Sequence, residues 1–371
     1  LQSAFVNAIR ITGHVNRPEL LEACDRAGIL VWQDFALQWG NDGSADFRKE
    51  ACRQIQDLVR LVGHHPCLAL WCCHNKPRGE DSAELDSALA AAVHELDDTR
   101  KIVPASSPSE HAYTGWYTDD YRDFDKLPGR PMVTDFGAQA LPCRESLEEM
   151  FGDESLLWPP SWPEWVDRNF QYDLTFNVAG VEQGKSLDEF INNSQEYQAL
   201  LLKYAIEHYR MAMYRGIEGI FQYSFVDSWP SIGFSVIDYF RRPKLGYRAL
   251  QVAYQPLLPV FIFRRRQAYS GGRVEGILTM INDTGDPLEN AELEFTLEVE
   301  KGTLITWMAK LKAVPPHSVT ADAIETVSDD FCLPTNMTLG PAHLRMRLFD
   351  STGARIAENV DTMEVVPPPP V

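Results

Sequence analysis

The stretch HHPCLALWCCHNKP, residues 64–77, places three histidines and three cysteines within fourteen positions. Thiolate and imidazole side chains at this density could hold zinc. Zinc sites, however, use spacings such as C-x2-C with a distant second pair, whereas Cys72 and Cys73 are adjacent. Neighbours on a strand point to opposite faces, and small thiols in an apolar run are ordinary core residues. The better reading is a strand, LALWCC, that delivers His74, Asn75 and Lys76 to its C-terminal end, with no metal and no cofactor.

Such a strand needs neighbours. From residue 1 to about 258, apolar runs alternate with helix-like stretches: AIRIT (8–12), ILVWQDF (29–35), LALWCC (68–73), IVPASS (102–107), PMVTDF (131–136), GIFQYSF (219–225) and FSVIDYF (234–240). Between them lie amphipathic segments such as RPELLEACDRAG, with Pro18 in its first turn and Gly28 as its stop, and SQEYQALLLKYAIEHYRMAMYRG, closed by Gly216. This alternation predicts an α/β fold with parallel strands. Seven strands ending in polar or aromatic residues suggest a (β/α)8 TIM barrel lacking its first strand, with its chemistry at the C-terminal strand ends. A Trp/Pro-rich insertion, residues 143–195, is long enough to cover a cleft.

The periodicity then changes. Residues 259–272 read as a linker, and 273–366 as a small immunoglobulin-like antiparallel β-sandwich, on the alternating runs RVEGILTMIND, AELEFTLEVE, AHLRMRLFD and RIAENVDTMEVV. The last residues, 367–371, are a Pro-rich tail.

Composition narrows the functions. A formal charge of −19 over 371 residues, with no basic cluster among aromatics, argues against nucleic acid. No run reaches the roughly 18 apolar residues of a membrane helix, so a soluble protein is expected. Seven cysteines without framework spacing read as free thiols, which leans cytoplasmic; the compartment itself is not fixed by the sequence. The sequons at Asn192, Asn282 and Asn336 are about what chance supplies.

HHPCLALWCCHNKP resembles the fourth-strand motif of glycoside hydrolase family 2, the β-galactosidase, β-mannosidase and β-glucuronidase family. There an Asn that binds the sugar 2-hydroxyl precedes a Glu acting as general acid/base. Asn75 matches the Asn, and Lys76 stands in the place of the Glu. GILVWQDF resembles the third-strand motif, with Asp34 at the sugar subsite. VTDFGAQALP (133–142) resembles the motif that carries the nucleophilic Glu; Asp135 occupies that place, and Gln139 follows as in the family. GIFQYSFVDSWPSIGFSVIDYFRRPKLGYRAL resembles the last two strands, where Tyr223, Asp227 and Trp229 would floor the subsite. In SEHAYTGWY, Glu110, His111, Tyr113 and Trp116 fall where the family lines its cleft, while His14 and Asn16 match loosely. The resemblance covers residues 1 to about 258 and implies that the first barrel strand comes from an upstream segment or another chain.

The expected function is therefore a retaining β-glycosidase on carbohydrate, impaired at both catalytic positions; the alternative is an inactive carbohydrate-binding or structural homologue. A retaining enzyme needs two carboxyl groups about 5–5.5 Å apart. Asp135 is one methylene short, a displacement of about 1 Å that can cost on the order of 10²-fold. Lys76 is a poor acid at neutral pH, and an ion pair between Lys76 and Asp135 is physically easy and would neutralise the nucleophile's charge. Among substitutes, Glu110 is the better understudy, though a rim carboxylate is its commoner role, and Glu80 and Asp81 read as solvated loop acids.

Overall fold

The apolar runs of the first half pair in parallel. In the computed structural model, which describes residues 1–40, 43–79, 82–126, 131–299, 304–328 and 331–368, β1 (Ala8–Ile11), β2 (Leu30–Asp34), β3 (Leu68–Cys72) and β4 (Lys101–Val103) form one parallel sheet in that order. β5 (Met132–Phe136) and β6 (Gly219–Gln222) form a second parallel pair. Side chains join the two sheets on one concave side: Arg10 of β1 donates to the Thr134 carbonyl of β5 at 3.2 Å, and Trp32 of β2 meets Phe221 of β6 edge-on at 5.6 Å. The sheet is curled.

Helices α1 (Pro18–Ala27), α2 (Ala45–Val62) and α3 (Ser82–His94) cover the outer face. The start and stop of α1 follow from Pro18 at its first turn and Gly28 at φ 66°, whose N–H caps the Cys24 carbonyl. Leu21, Ile55, Leu58, Val59, Leu85 and Leu89 pack there against Val31 and Leu68. Cys24, Cys67 and Cys73 lie in this same core, and burial pushes the Cys67 and Cys73 thiols up to about 12. They are hydrophobic filling rather than reactive groups.

One expected strand does not form. Residues 234–240 run parallel to the segment after β6 for a short stretch: the Val236 N–H donates to Ser224 O and the Ile237 N–H to Phe225 O, with an isolated bridge between Val226 and Ile237. The chain then turns, with the Arg241 N–H bonded to Asp238 O, so the backbone groups a ladder would need are already satisfied. The helix expected to run to Gly216 also stops early. α6 spans Leu187–Met211, because the Ala212 and Met213 N–H groups tighten onto Tyr209 O and Arg210 O.

The 143–195 insertion contains α4 (Arg144–Phe151), α5 (Trp162–Asp167) and the start of α6. Trp162, Trp165, Phe170, Phe176 and Phe190 stack into an aromatic core of their own.

The chain divides into two compact units, Leu1–Gln198 with Gly219–Lys244, and Ala199–Glu218 with Leu245–Val371. The second holds α7 (Leu245–Ala253), β7 (Leu257–Phe263), β8 (Gln267–Tyr269), β9 (Gly276–Asn282), β10 (Glu292–Val299), β11 (Leu304–Leu311), β12 (Ser318–Ala321), β13 (Ile324–Val327), β14 (Gly340–Phe349) and β15 (Arg355–Val366). Two sheets result, ordered β13-β11-β10-β14-β15-β8 and β12-β9-β7. Period-two alternation turns Leu293, Phe295 and Leu297 of β10 into a core shared with Phe261, Leu278 and Met280 of the smaller sheet. β7 and β8 thus occupy much of the stretch that reads as a linker. Among the described residues no helix is long and apolar enough to cross a membrane.

Candidate active site

Parallel strands leave polar backbone at their C-terminal ends, and this chain extends those ends side by side. The Asn75 N–H donates to Leu37 O at 3.0 Å, the Lys76 N–H to Ser106 O at 2.9 Å, the Ala112 N–H to Asp135 O at 2.8 Å and the Tyr223 N–H to Phe136 O at 2.8 Å. Segments following β2, β3, β4, β5 and β6 are thereby fixed in one cluster, where parallel α/β folds carry their chemistry.

At its centre is Asp135. The Lys76 ammonium donates to Oδ2 at 2.8 Å and the Tyr113 hydroxyl to Oδ1 at 2.5 Å, so both carboxylate oxygens are engaged. Asp135 is nearly buried (6 %), whereas Lys76 keeps 30 % of its side chain exposed, and its Nζ lies 5.5 Å from the centre of the Tyr113 ring. Lys76 also sits at φ 54°, a left-handed conformation uncommon for a residue with a Cβ. Burial, reinforced by Asp135, raises the Tyr113 hydroxyl well above its usual range, so it stays protonated and donates.

Behind this pair runs a second. Arg10 grips Asp34 through Nε and a terminal nitrogen, the shortest contact being 2.9 Å, with both side chains almost fully enclosed. The same guanidinium donates to Asn75 Oδ1 at 3.1 Å and lies 5.0 Å over the Trp32 ring. Asn75 Oδ1 being occupied, its amide nitrogen is turned toward Gln38 Oε1, 3.4 Å away. Asn75 is thus held in one orientation.

His111 is linked to Asp135 by backbone pairing. Its Nε2 lies 3.3 Å from Ser106 Oγ, which also donates to Glu110 Oε2 at 3.1 Å. Burial pulls the imidazole pKa down to about 4; Asp135 opposes this, while Lys76 and Arg10 add to it. His111 is a neutral ring at neutral pH, and Glu110 is half-buried beside it.

Three other expected residues look away from this cluster. His74 is fully buried, with Nδ1 facing Asp86 Oδ1 at 2.7 Å and Nε2 facing Trp39 O at 2.8 Å. Trp116 is buried and donates to Gln171 Oε1 at 2.7 Å. Gln139 spans to the insertion by donating to Asn169 O at 2.8 Å and accepting from the Gln171 N–H at 3.1 Å. These three position loops. Asp227 accepts from Ser235 Oγ and lies 3.9 Å from the Lys244 ammonium; burial raises its carboxyl, and Lys244 opposes the shift. Tyr223 and Trp229 are 41 % and 43 % exposed, and the Tyr223 ring packs against Phe234 at 5.7 Å. His14 bonds its own loop at Thr12 O. Glu80 and Asp81 lie outside the described residues.

Two functional-looking residues were not singled out by sequence. Arg10 had a signal, a charge inside the apolar run AIRIT. Lys244 is buried to 1 % and donates to Ala140 O at 2.8 Å and Gly233 O at 3.2 Å, tying the loop after β5 to the loop after β6; burial holds its pKa down to about 8. Its position in RRPK gave no hint of burial.

No family model matches the chain. Among curated proteins, β-mannosidase B of Emericella nidulans is 23 % identical over 281 residues, covering 64 % of this chain and 33 % of that protein. β-Mannosidase B of Aspergillus clavatus is 24 % identical over 296 residues, covering 67 % and 35 %. The chain spans about a third of the length of these curated relatives. Among solved structures, the β-D-mannosidase of Dictyoglomus thermophilum superposes with a TM-score of 0.77 at 21 % identity over 98 % of this chain and 46 % of that one. An exo-chitosanase of Amycolatopsis orientalis gives 0.74 at 15 % identity, over 98 % and 45 %. In fold and in sequence, the chain is similar to part of the glycoside hydrolases of family 2.

Proposed function

We propose that the parallel strands are the arc of a (β/α)8 barrel holding a β-glycosidase-type sugar cleft, with Asp135 in the nucleophile's place and hydrolysis of ordinary glycosides largely lost. The observation that carries this reading is the 2.8 Å contact between Lys76 and Asp135. Retaining hydrolysis needs a carboxylate to attack and a carboxylic acid to protonate the departing oxygen. Here the second group is an ammonium, and it engages one oxygen of the first. Acid/base assistance worth about 10²–10⁴-fold is forfeited.

The rest of the cleft supports sugar recognition. Asp34, Arg10 and Asn75 form a buried polar set with defined orientation, and Tyr223 and Trp229 supply exposed rings. A purely structural relic would gain nothing by keeping this buried charge. The reading predicts that a panel of β-mannosides, β-glucosides, β-glucosaminides and β-galactosides includes one that binds by calorimetry. Asn75→Ala weakens it by about tenfold, the loss of one to two hydrogen bonds in a sheltered site. Absence of binding by every sugar would contradict it.

A further inference from the structure

We propose that the cleft's remaining chemistry is glycosyl transfer to and from phosphate, its substrate class being a sugar with phosphate on the anomeric carbon. The inference rests on the sugar cleft proposed above.

An alkoxide leaving group needs a proton, and among the described residues no group touching Asp135 supplies one readily. Lys76 is an ammonium, Tyr113 holds its proton against Asp135, and His111 is neutral and faces Ser106. A phosphate leaving group needs none, since its second pKa is about 6. It needs a compensating charge instead. Lys76 presents one: an ammonium has three N–H donors, Asp135 Oδ2 accepts from one, and the side chain keeps 30 % of its surface exposed. A Glu there would repel a dianion; a Lys attracts it. The chain's net charge of −19 does not override this, because a contact charge outweighs distant ones screened over about 8–10 Å.

The step balances without proton transfer. A lone pair of Asp135 forms the bond to the anomeric carbon as the bond from that carbon to the phosphate oxygen breaks. The bonding pair leaves with phosphate, whose charge Lys76 takes over as Asp135 loses its own. In the transfer to phosphate, a glycoside whose leaving group departs as an anion, such as a nitrophenolate, loads Asp135 in the same way, and a phosphate oxygen then attacks the anomeric carbon as the bonding pair goes back to Asp135. Water is a poorer acceptor, because it must surrender a proton to a base and Lys76 has no lone pair to offer.

The test uses nitrophenyl β-glycosides, whose leaving group requires no proton, with the purified protein and inorganic phosphate, against chloride of equal ionic strength. The expected results are nitrophenolate release accelerated about tenfold or more by phosphate, in proportion to the acid/base help it bypasses, and a glycosyl phosphate seen by phosphorus NMR. Lys76→Gln should lose the phosphate response, and Lys76→Arg should keep it. Glycoside binding without acceleration and without a glycosyl phosphate would overturn this inference and leave the sugar cleft standing. Failure of the wild-type protein to bind any glycoside would remove both.

Discussion

At the scale of single residues, the cleft is governed by which groups hold protons. Tyr113 is kept protonated and His111 unprotonated by burial, so Asp135 is surrounded by donors and one neutral ring. His111 has a folded-state pKa of about 4 against an ordinary 6.5. Between those values the unfolded chain binds a proton that the folded chain refuses, so His111 makes stability fall as pH drops from 6.5 to 4. The melting temperature of His111→Gln should fall less over that window than the wild-type's, and NMR titration of His111 should show a midpoint near 4. A midpoint near 6.5 would contradict the assigned environment. Arg10 shows why part of the cleft was hard to read: a charge in an apolar strand is visible, but its partners Asp34, Asn75 and Thr134 lie 24, 65 and 124 positions away. His74 shows the converse, a residue in a chemical-looking motif whose ring nitrogens both face inward acceptors.

At the scale of elements, strand existence was legible wherever an apolar run met a neighbour in register, as with β2, β3 and β5. FSVIDYF does not extend into a strand: it bonds residues 224 and 225 and forms an isolated parallel bridge, Ile237 with Val226, before the chain turns at Asp238. The ends of the elements were less legible than their existence, since tight turns at Ala212 and Met213 depend on tertiary packing rather than on Gly216. Close approach between elements also leaves a mark at Gly137, just past Asp135. A Cβ there would lie 2.3 Å from the Tyr223 carbonyl oxygen, so the loop after β5 can touch the chain after β6 only because that atom is missing. Gly137→Ala should push the two apart and weaken glycoside binding by about tenfold or more, given that shifts of about 1 Å are costly in such sites. Unchanged affinity, measured by calorimetry on folded protein, would show that the contact does not position the cleft.

At the scale of the whole molecule, segments distant in sequence are held together by buried charge. In the second unit, Lys203 of α6 contacts Glu207 at 2.7 Å and Asp361 of β15 at 3.1 Å. Asn359 donates to both Glu207 and the Pro259 carbonyl at 2.8 Å. This set draws residues 199–218 to the β-strands of their unit, and an apolar count along the chain does not reveal it. Lys203→Met would leave two carboxylates buried together, at a cost of about 3–5 kcal/mol in urea unfolding followed by circular dichroism. A loss below about 1 kcal/mol would mean that the pair is solvated like a surface bridge.

The central claim is that Lys76 and Asp135 make a sugar cleft with its hydrolytic chemistry removed. The most direct measurement is hydrolysis of aryl β-glycosides by the wild-type protein beside Lys76→Glu/Asp135→Glu, in buffer free of phosphate. The account predicts slow or absent turnover by the wild type and a gain of about 10²-fold or more in the double variant, from the restored acid/base group and the corrected reach of the nucleophile. Wild-type turnover equal to or faster than that of the double variant would contradict it.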